Sequence, residues 1–177
     1  MQTMEQERIF DLVRVFALSG REDDRGTMHV IFCQENILSE FSIHEQRVYQ
    51  MPKAGTFFGI HYQELTNPQA KLITVIQGAG VDYVVDLRPA SPTFRQWKAV
   101  ELSEKTRKAV YIPAGFGHAF LSTQDNTIQL FAVDHPFVKA AARRIHYLDP
   151  TIGLQLPTDK LILSEDDRTA PFLAIDK

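Results

Sequence analysis

The chain has 177 residues, enough for a sizeable buried core, and its 44% hydrophobic and 23% charged content is that of a globular protein, not a disordered one. A formal net charge of -3, with lysines and arginines scattered along the chain, leaves no basic footprint for nucleic acid. Cys33 is the single cysteine, which excludes an intramolecular disulfide framework and cysteine-rich zinc sites and suits a reducing compartment.

Glu5, Arg8, Asp11 and Arg14 interrupt the apolar positions near the start, so residues 1–20 form neither a secretory apolar core nor a membrane-spanning helix. A cytoplasmic protein is the expectation. From Ile9 to Ser19 the alternation suits a strand, although the apolar spacing also permits a short helix. Arg21 to Gly26 reads as a charged turn, and Thr27 to Cys33 as a strand with Met28, Val30 and Phe32 on one face. Residues 34–45 are the best helical stretch in the first half, followed by a strand from Arg47 to Met51.

Short strands follow over 55–63, 71–76, 82–87, 96–102 and 109–112, separated by Asn67-Pro68, Gln77-Gly78, Pro89-Ala-Ser-Pro92 and charged turns. Pro113-Ala-Gly-Phe-Gly-His118 is a tight turn entering another strand, and Thr127 to Val133 pairs with it or a neighbour. Ala140 to Arg144 reads as a helical turn, and the tail as turns with one short helix. No repeat, linker or low-complexity tract divides the chain, so residues 1–177 are expected to form one domain. Regular short strands punctuated by Gly and Pro point to an antiparallel sandwich or barrel, not to βαβ units.

The stretch Gly55-Thr-Phe-Phe-Gly59-Ile-His61-Tyr-Gln63 concentrates the chemistry. Gly59 within a strand marks a place where something approaches the backbone closely. His61 points to one face, and Ile60 and Tyr62 to the other. A histidine facing an enclosed space, with Lys71 one strand away, suits removal of a proton from carbon and stabilisation of the anion left behind. Taken alone, such a histidine more often packs as hydrogen-bonded core.

Gly55 with His61, and Pro113-x-Gly115-x-x-His118, resemble the metal signatures of the cupins, but Gln63 stands where a second histidine would be needed. Two imidazoles are too few for a tight transition-metal site, so neither a metal nor another cofactor is expected. Dinucleotide, P-loop and serine-hydrolase motifs have no local support.

The ordered set Asp23-x-Arg25-Gly26, Gly59-x-His61-Tyr62-Gln63, Lys71-Leu72, Gly78 with Asp82, Val85-Asp86-Leu87-Arg88, Ser91-Pro92-Thr93, Ile112-Pro113-x-Gly115-Phe116-x-His118, Asp149-Pro150 and Ser164-Glu165-x-Asp167-Arg168 resembles the dTDP-4-dehydrorhamnose 3,5-epimerases, the RmlC-like branch of the cupins, over roughly residues 20–171. The resemblance implies an all-β fold, a double-stranded β-helix or jelly roll with a few short helices. It also implies a metal-free homodimer acting on a nucleotide-linked 4-keto-6-deoxyhexose (dTDP- or CDP-linked), with no nucleic-acid or membrane partner. The pathway would be that of deoxysugars and polysaccharides such as lipopolysaccharide O-antigen. In that pattern His61 is the base, Asp149 its orienting carboxylate and Lys71 the cation beside the C4 oxygen. Arg25, Gln46, Asp82, His118 and Phe131 would line the substrate, Arg25 and Gln46 on the nucleotide side.

Four positions depart from the pattern. Phe58 stands where family members that invert two carbons carry arginine, and Phe131 stands where they carry an acidic tyrosine; Phe137 and Arg21 replace further aromatics. Phenylalanine donates no proton and holds no phosphate. The expectation is epimerisation at C3, or at C3 and C5, with His135 a candidate substitute acid. A 3,4-ketoisomerase and a non-catalytic sugar-nucleotide-binding cupin are the alternatives.

Overall fold

The computed structural model describes residues 4–32 and 41–174. Among these, thirteen strands and one short helix follow in order: β1 (Met4–Ile9), β2 (Val13–Ala17), β3 (Gly20–Asp23), β4 (Gly26–His29), β5 (Glu45–Met51), β6 (Phe57–Gln63), β7 (Lys71–Gln77), β8 (Ala79–Asp86), β9 (Trp97–Ser103), β10 (Lys108–Ile112), β11 (Phe116–Ser122), β12 (Thr127–Val133), β13 (Ala142–Ile145) and α1 (Glu165–Arg168). They build a six-stranded sheet in the order β1-β2-β10-β7-β12-β5, a five-stranded sheet in the order β13-β6-β11-β8-β9, and a β3-β4 hairpin. This is the expected jelly roll.

Alternation along each strand sorts its side chains between two faces. Val13, Val15, Ile73, Val75, Val110 and Ile112 from the first sheet meet Val84, Val100, Leu102, Phe116 and Phe120 from the second in the core between them. Part of each outer face is covered as well. Phe16, Leu72, Tyr111 and Ala132 pack with Phe32, Phe41 and Ile43 behind the six-stranded sheet. Phe57, Ile60, Tyr83 and Leu121 pack with Leu156, Leu161, Leu163 and Leu173 of the C-terminal tail behind the other.

That tail positions the site. It runs beside the start of β6 through a Thr56–Ile162 bridge, with Phe57 N donating to Ile162 O at 3.0 Å and Ile162 N to Gly55 O at 2.8 Å. Ser164 then caps α1, its hydroxyl accepting from Asp167 N at 3.1 Å.

Three local readings change. Ala140 to Arg144 does not form a helical turn: Ala142–Ile145 is an edge strand antiparallel to β6, where Arg144 opposes His61. Its composition favours a helix, but the unpaired edge of β6 offers four residues a ladder, and tertiary pairing wins. Arg21 to Asp23 belong to the β3-β4 hairpin, which confines the charged turn to its tip. Residues 41–44 are irregular, not helical, and the rest of the helical reading over 34–45 lies outside the described residues, as does Cys33.

Candidate active site

Between the sheets lies a cavity of about 490 Å³ lined by His61 and His118 from the five-stranded wall, Lys71, Phe131 and Val133 from the six-stranded wall, and Arg47, Lys139, Arg143 and Arg144 toward its mouth. His61 and His118 are direct cross-strand partners on β6 and β11. A bulge follows: Phe58 opposes Phe120, so β6 spends three residues where β11 spends two. The extra residue turns Phe58 inward beside His61 while Ile60 stays on the outer face.

His61 Nε2 lies 2.5 Å from Asp167 Oδ1, and the carboxylate is only 3% exposed. Asp167 is fixed on its other oxygen as well, where Ser164 Oγ donates at 2.9 Å. Burial alone would raise the Asp167 pKa, but the hydrogen bonds from His61, Ser164 and the Gly59 N–H outweigh it and keep the carboxyl below its ordinary value. The anion therefore accepts the Nε2 proton and leaves Nδ1 as the basic nitrogen. Gly59 makes the approach possible: a Cβ there would stand 2.9 Å from Asp167 Oδ1. The close approach expected at Gly59 is made by this carboxylate.

Asp149 is therefore not the partner of His61. Its Oδ1 accepts from Thr151 N at 2.8 Å, Thr151 Oγ1 at 2.6 Å and Ile152 N at 3.2 Å, and its Oδ2 from Leu173 N at 2.6 Å. Saturated in this way, it closes the turn after β13 and anchors the tail against it. Two aspartates of the same C-terminal region compete for one role in the sequence. The signal that separates them is Ser164-x-x-Asp167, a capping pattern that fixes where a short helix begins.

His118 has its own aspartate. Its Nδ1 lies 3.2 Å from Asp82 Oδ2, while Asp82 Oδ1 is buried with no hydrogen-bond partner among the described residues. Burial first, then the Lys71 charge, push the His118 pKa down, so its imidazole is neutral at pH 7 and donates its Nδ1 proton to Asp82. Surrounding protein also lowers Lys71, to about 8, with Asp82 opposing the shift. Lys71 and His118 thus line the cavity, with Asp82 fully buried behind them.

Arg25 and Gln46 are not brought there. Arg25 sits at the hairpin tip, 90% exposed, forked onto Asp23 at 3.1 and 2.7 Å. Gln46 alternates with Arg47 on β5, so Arg47 takes the cavity face and Gln46 joins a small cleft behind the sheet with Phe32 and Leu72. No sequence motif singles out Arg47, Arg143 or Arg144. Arg47 holds Glu45 at 2.7 and 2.9 Å with its guanidinium 6.0 Å from the Phe131 ring. Arg143 holds Glu64 at 2.8 Å, and Arg144 holds Asp166 at 3.1 Å.

Phe131 is on the cavity wall, and Phe58 packs against Tyr49 with ring centroids 4.2 Å apart. His135 is no substitute acid: β12 ends at Val133, and His135 is 58% exposed beyond it, 3.1 Å from Asp134. Gln63 spends its amide on loops, donating to Asn67 O at 3.0 Å and accepting from Val138 N at 2.6 Å.

A histidine with a fixed carboxylate behind it, facing a cation across a cavity of hexose size, has the geometry that proton abstraction beside a carbonyl requires. Comparison with known proteins leads to the same chemistry. The family model described as dTDP-4-dehydrorhamnose 3,5-epimerase matches residues 8–174. A dTDP-4-dehydro-6-deoxyglucose 3-epimerase of Streptomyces bikiniensis is 38% identical over 157 residues, 86% of this chain and 80% of that protein. A dTDP-4-dehydrorhamnose 3,5-epimerase of Mycolicibacterium smegmatis is 38% identical over 160 residues, 87% of this chain and 78% of its own length. The crystal structure of the 3,5-epimerase of Bacillus anthracis with TDP and pyrophosphate bound superposes with a TM-score of 0.91 at 30% identity, covering 97% of this chain and 99% of the other. That of ChmJ, a 3'-monoepimerase from Streptomyces bikiniensis in complex with dTDP-quinovose, gives 0.84 at 33% identity over 90% and 83%. With its fold, its inward histidine and this agreement over nearly its whole length, the chain belongs to the dTDP-4-dehydrorhamnose 3,5-epimerase family of isomerases.

Proposed function

We propose that the chain inverts C3, and C3 alone, of a dTDP- or CDP-linked 4-keto-6-deoxyhexose in deoxysugar biosynthesis. The observation that carries this reading is the His61–Asp167 pair facing Lys71 across the cavity, with Phe131 beside Lys71. His61 Nδ1 removes the C3 proton, which is acidic because the C4 ketone accepts the charge. Asp167 holds the ring and stabilises the imidazolium as it forms. Lys71 meets the negative charge developing on the C4 oxygen, a contribution typically of several kcal/mol to the barrier. His118, neutral and backed by Asp82, offers a polar contact to the sugar. Arg47, Arg143 and Arg144 give the mouth guanidinium groups suited to a diphosphate.

A single carbon is favoured because Phe131 leaves the six-stranded wall poor in proton donors, and one lysine cannot serve two carbons on one face equally well. The reading includes a cytoplasmic homodimer: Arg25 and Gln46 point away from the cavity of their own chain, so a role beside a nucleotide requires a second copy. A polysaccharide pathway such as that of O-antigen is the setting we propose.

The test is incubation with dTDP- and CDP-4-keto-6-deoxyglucose in deuterium oxide, followed by proton NMR of the product. Deuterium and inversion at C3 alone are expected. A carbonyl moved to C3 would indicate a 3,4-ketoisomerase, and no exchange with either sugar would leave a binding protein.

A further inference from the structure

Inversion beside a ketone needs two groups, because a base that returns its own proton to the same face regenerates the substrate. An enolate over C3 and C4 would be planar, and held in the cavity between the sheets it would present one face to His61 and the other to the six-stranded wall. On that wall Val133 pairs with Lys71, and Phe131 lies one pair along, opposite the buried Ile73, so Lys71, Phe131 and Val133 form the patch that the second face meets. Phe131, Val133 and Ile73 have no exchangeable proton. Arg47 keeps its proton at neutral pH, since Glu45 raises its pKa further. Lys139 is exposed at the mouth, and His135 lies outside the cavity.

We propose that Lys71 is the acid that adds hydrogen to C3 from the face opposite His61, and so converts exchange into inversion. This rests on the epimerase reading and assigns a second duty to its lysine. His61 Nδ1 takes the C3 proton, and the C–H electron pair becomes the C3–C4 double bond with the charge on the C4 oxygen. Lys71 Nζ then gives one proton to C3 from the other side and the ketone re-forms. An imidazolium and a neutral amine remain, and both reset with solvent. Asp82 on β8, whose Oδ1 has no hydrogen-bond partner among the described residues, is the anion that favours the ammonium form. His118 on β11 and His61 on β6 are the other titratable groups around it.

Lys71→Arg tests this, because arginine keeps the positive charge but holds its proton. We expect C3 deuterium exchange within about tenfold of the parent while inversion falls by at least about 10²-fold. Inversion that keeps pace with exchange in this variant overturns the proposal. If Lys71→Arg loses both, Lys71→Cys in a Cys33→Ser background decides the matter. Alkylation with 2-bromoethylamine should restore exchange and inversion, whereas (2-bromoethyl)trimethylammonium, a cation without a proton, should restore exchange alone. Inversion restored by the second reagent, or by neither, overturns the assignment. A parent protein without C3 exchange on any nucleotide-linked 4-ketohexose removes the epimerase reading and this proposal together; normal parent turnover with an inverting Lys71→Arg removes the proposal only.

Discussion

His61 and His118 face each other across the β6-β11 ladder, each with an aspartate behind it, yet the two pairs are built for different work. The His61 pair is short, 2.5 Å, its ring is 32% exposed to the cavity, and Asp167 is further held by Ser164 and the backbone of Gly59. The His118 pair is longer, 3.2 Å, its ring is 16% exposed, and Asp82 keeps one oxygen without a hydrogen bond from any described residue. The first pair can accept a proton and stabilise the cation that results. In the second, burial and the Lys71 ammonium oppose protonation, so the imidazole stays neutral and Asp82 serves Lys71 as much as His118. Under the proposed function, similar residues one strand apart thus take the roles of base and fixed polar contact through what surrounds them.

Removing the base should have the largest effect. His61→Ala should lower C3 exchange by about 10³- to 10⁴-fold in a stopped deuterium assay, with dTDP affinity by calorimetry little changed. His118→Asn should cost about tenfold, mainly in KM, because a hydrogen bond to substrate contributes about 1–1.5 kcal/mol; an equal loss in both variants would show that the two histidines do the same work. The pH profile reads the Lys71–Asp82 pair directly. Lys71 must be protonated, so activity should decline above about pH 8, where its burial-lowered pKa lies. Asp82→Asn removes the anion that raises this pKa, so the decline should begin at lower pH; a shift to higher pH contradicts the arrangement.

Asp149→Ala belongs at the small end for catalysis. It should leave exchange within about threefold but destabilise the fold by about 1–3 kcal/mol, the cost of orphaned backbone N–H groups, in urea denaturation at pH 7. Its carboxyl has a lowered pKa in the folded protein: burial opposes the shift, and Thr151, Leu173 and Ile152 donors outweigh burial. The stabilisation is therefore full above the unfolded value near 3.8 and is lost as pH falls through the lower folded value, so parent and variant should converge in acid.

Much of this architecture is legible in residue order. The short alternating strands announce the sandwich, His61 points inward by parity, and Gly59 marks a close approach. The carboxylate that makes that approach is harder to read, because Asp167 lies over a hundred residues away and reaches Gly59 only after the tail has packed Leu161 and Leu163 behind the sheet. Asp149, in an Asp-Pro turn, resembles a site residue until its oxygens are counted. Arg144 is hidden by its Ala-Ala-Ala-Arg-Arg context, which favours a helix until the β6 edge supplies a partner. Such features depend on tertiary pairing, which local pattern does not encode.

The most direct measurement compares the C3 deuterium-exchange rates of Asp167→Asn and Asp149→Asn at saturating substrate. Asp167→Asn should drop by about 10²-fold or more, since the amide no longer holds the required tautomer, while Asp149→Asn should stay near the parent rate. The opposite order, or equal rates, would contradict the pairing of His61 with Asp167.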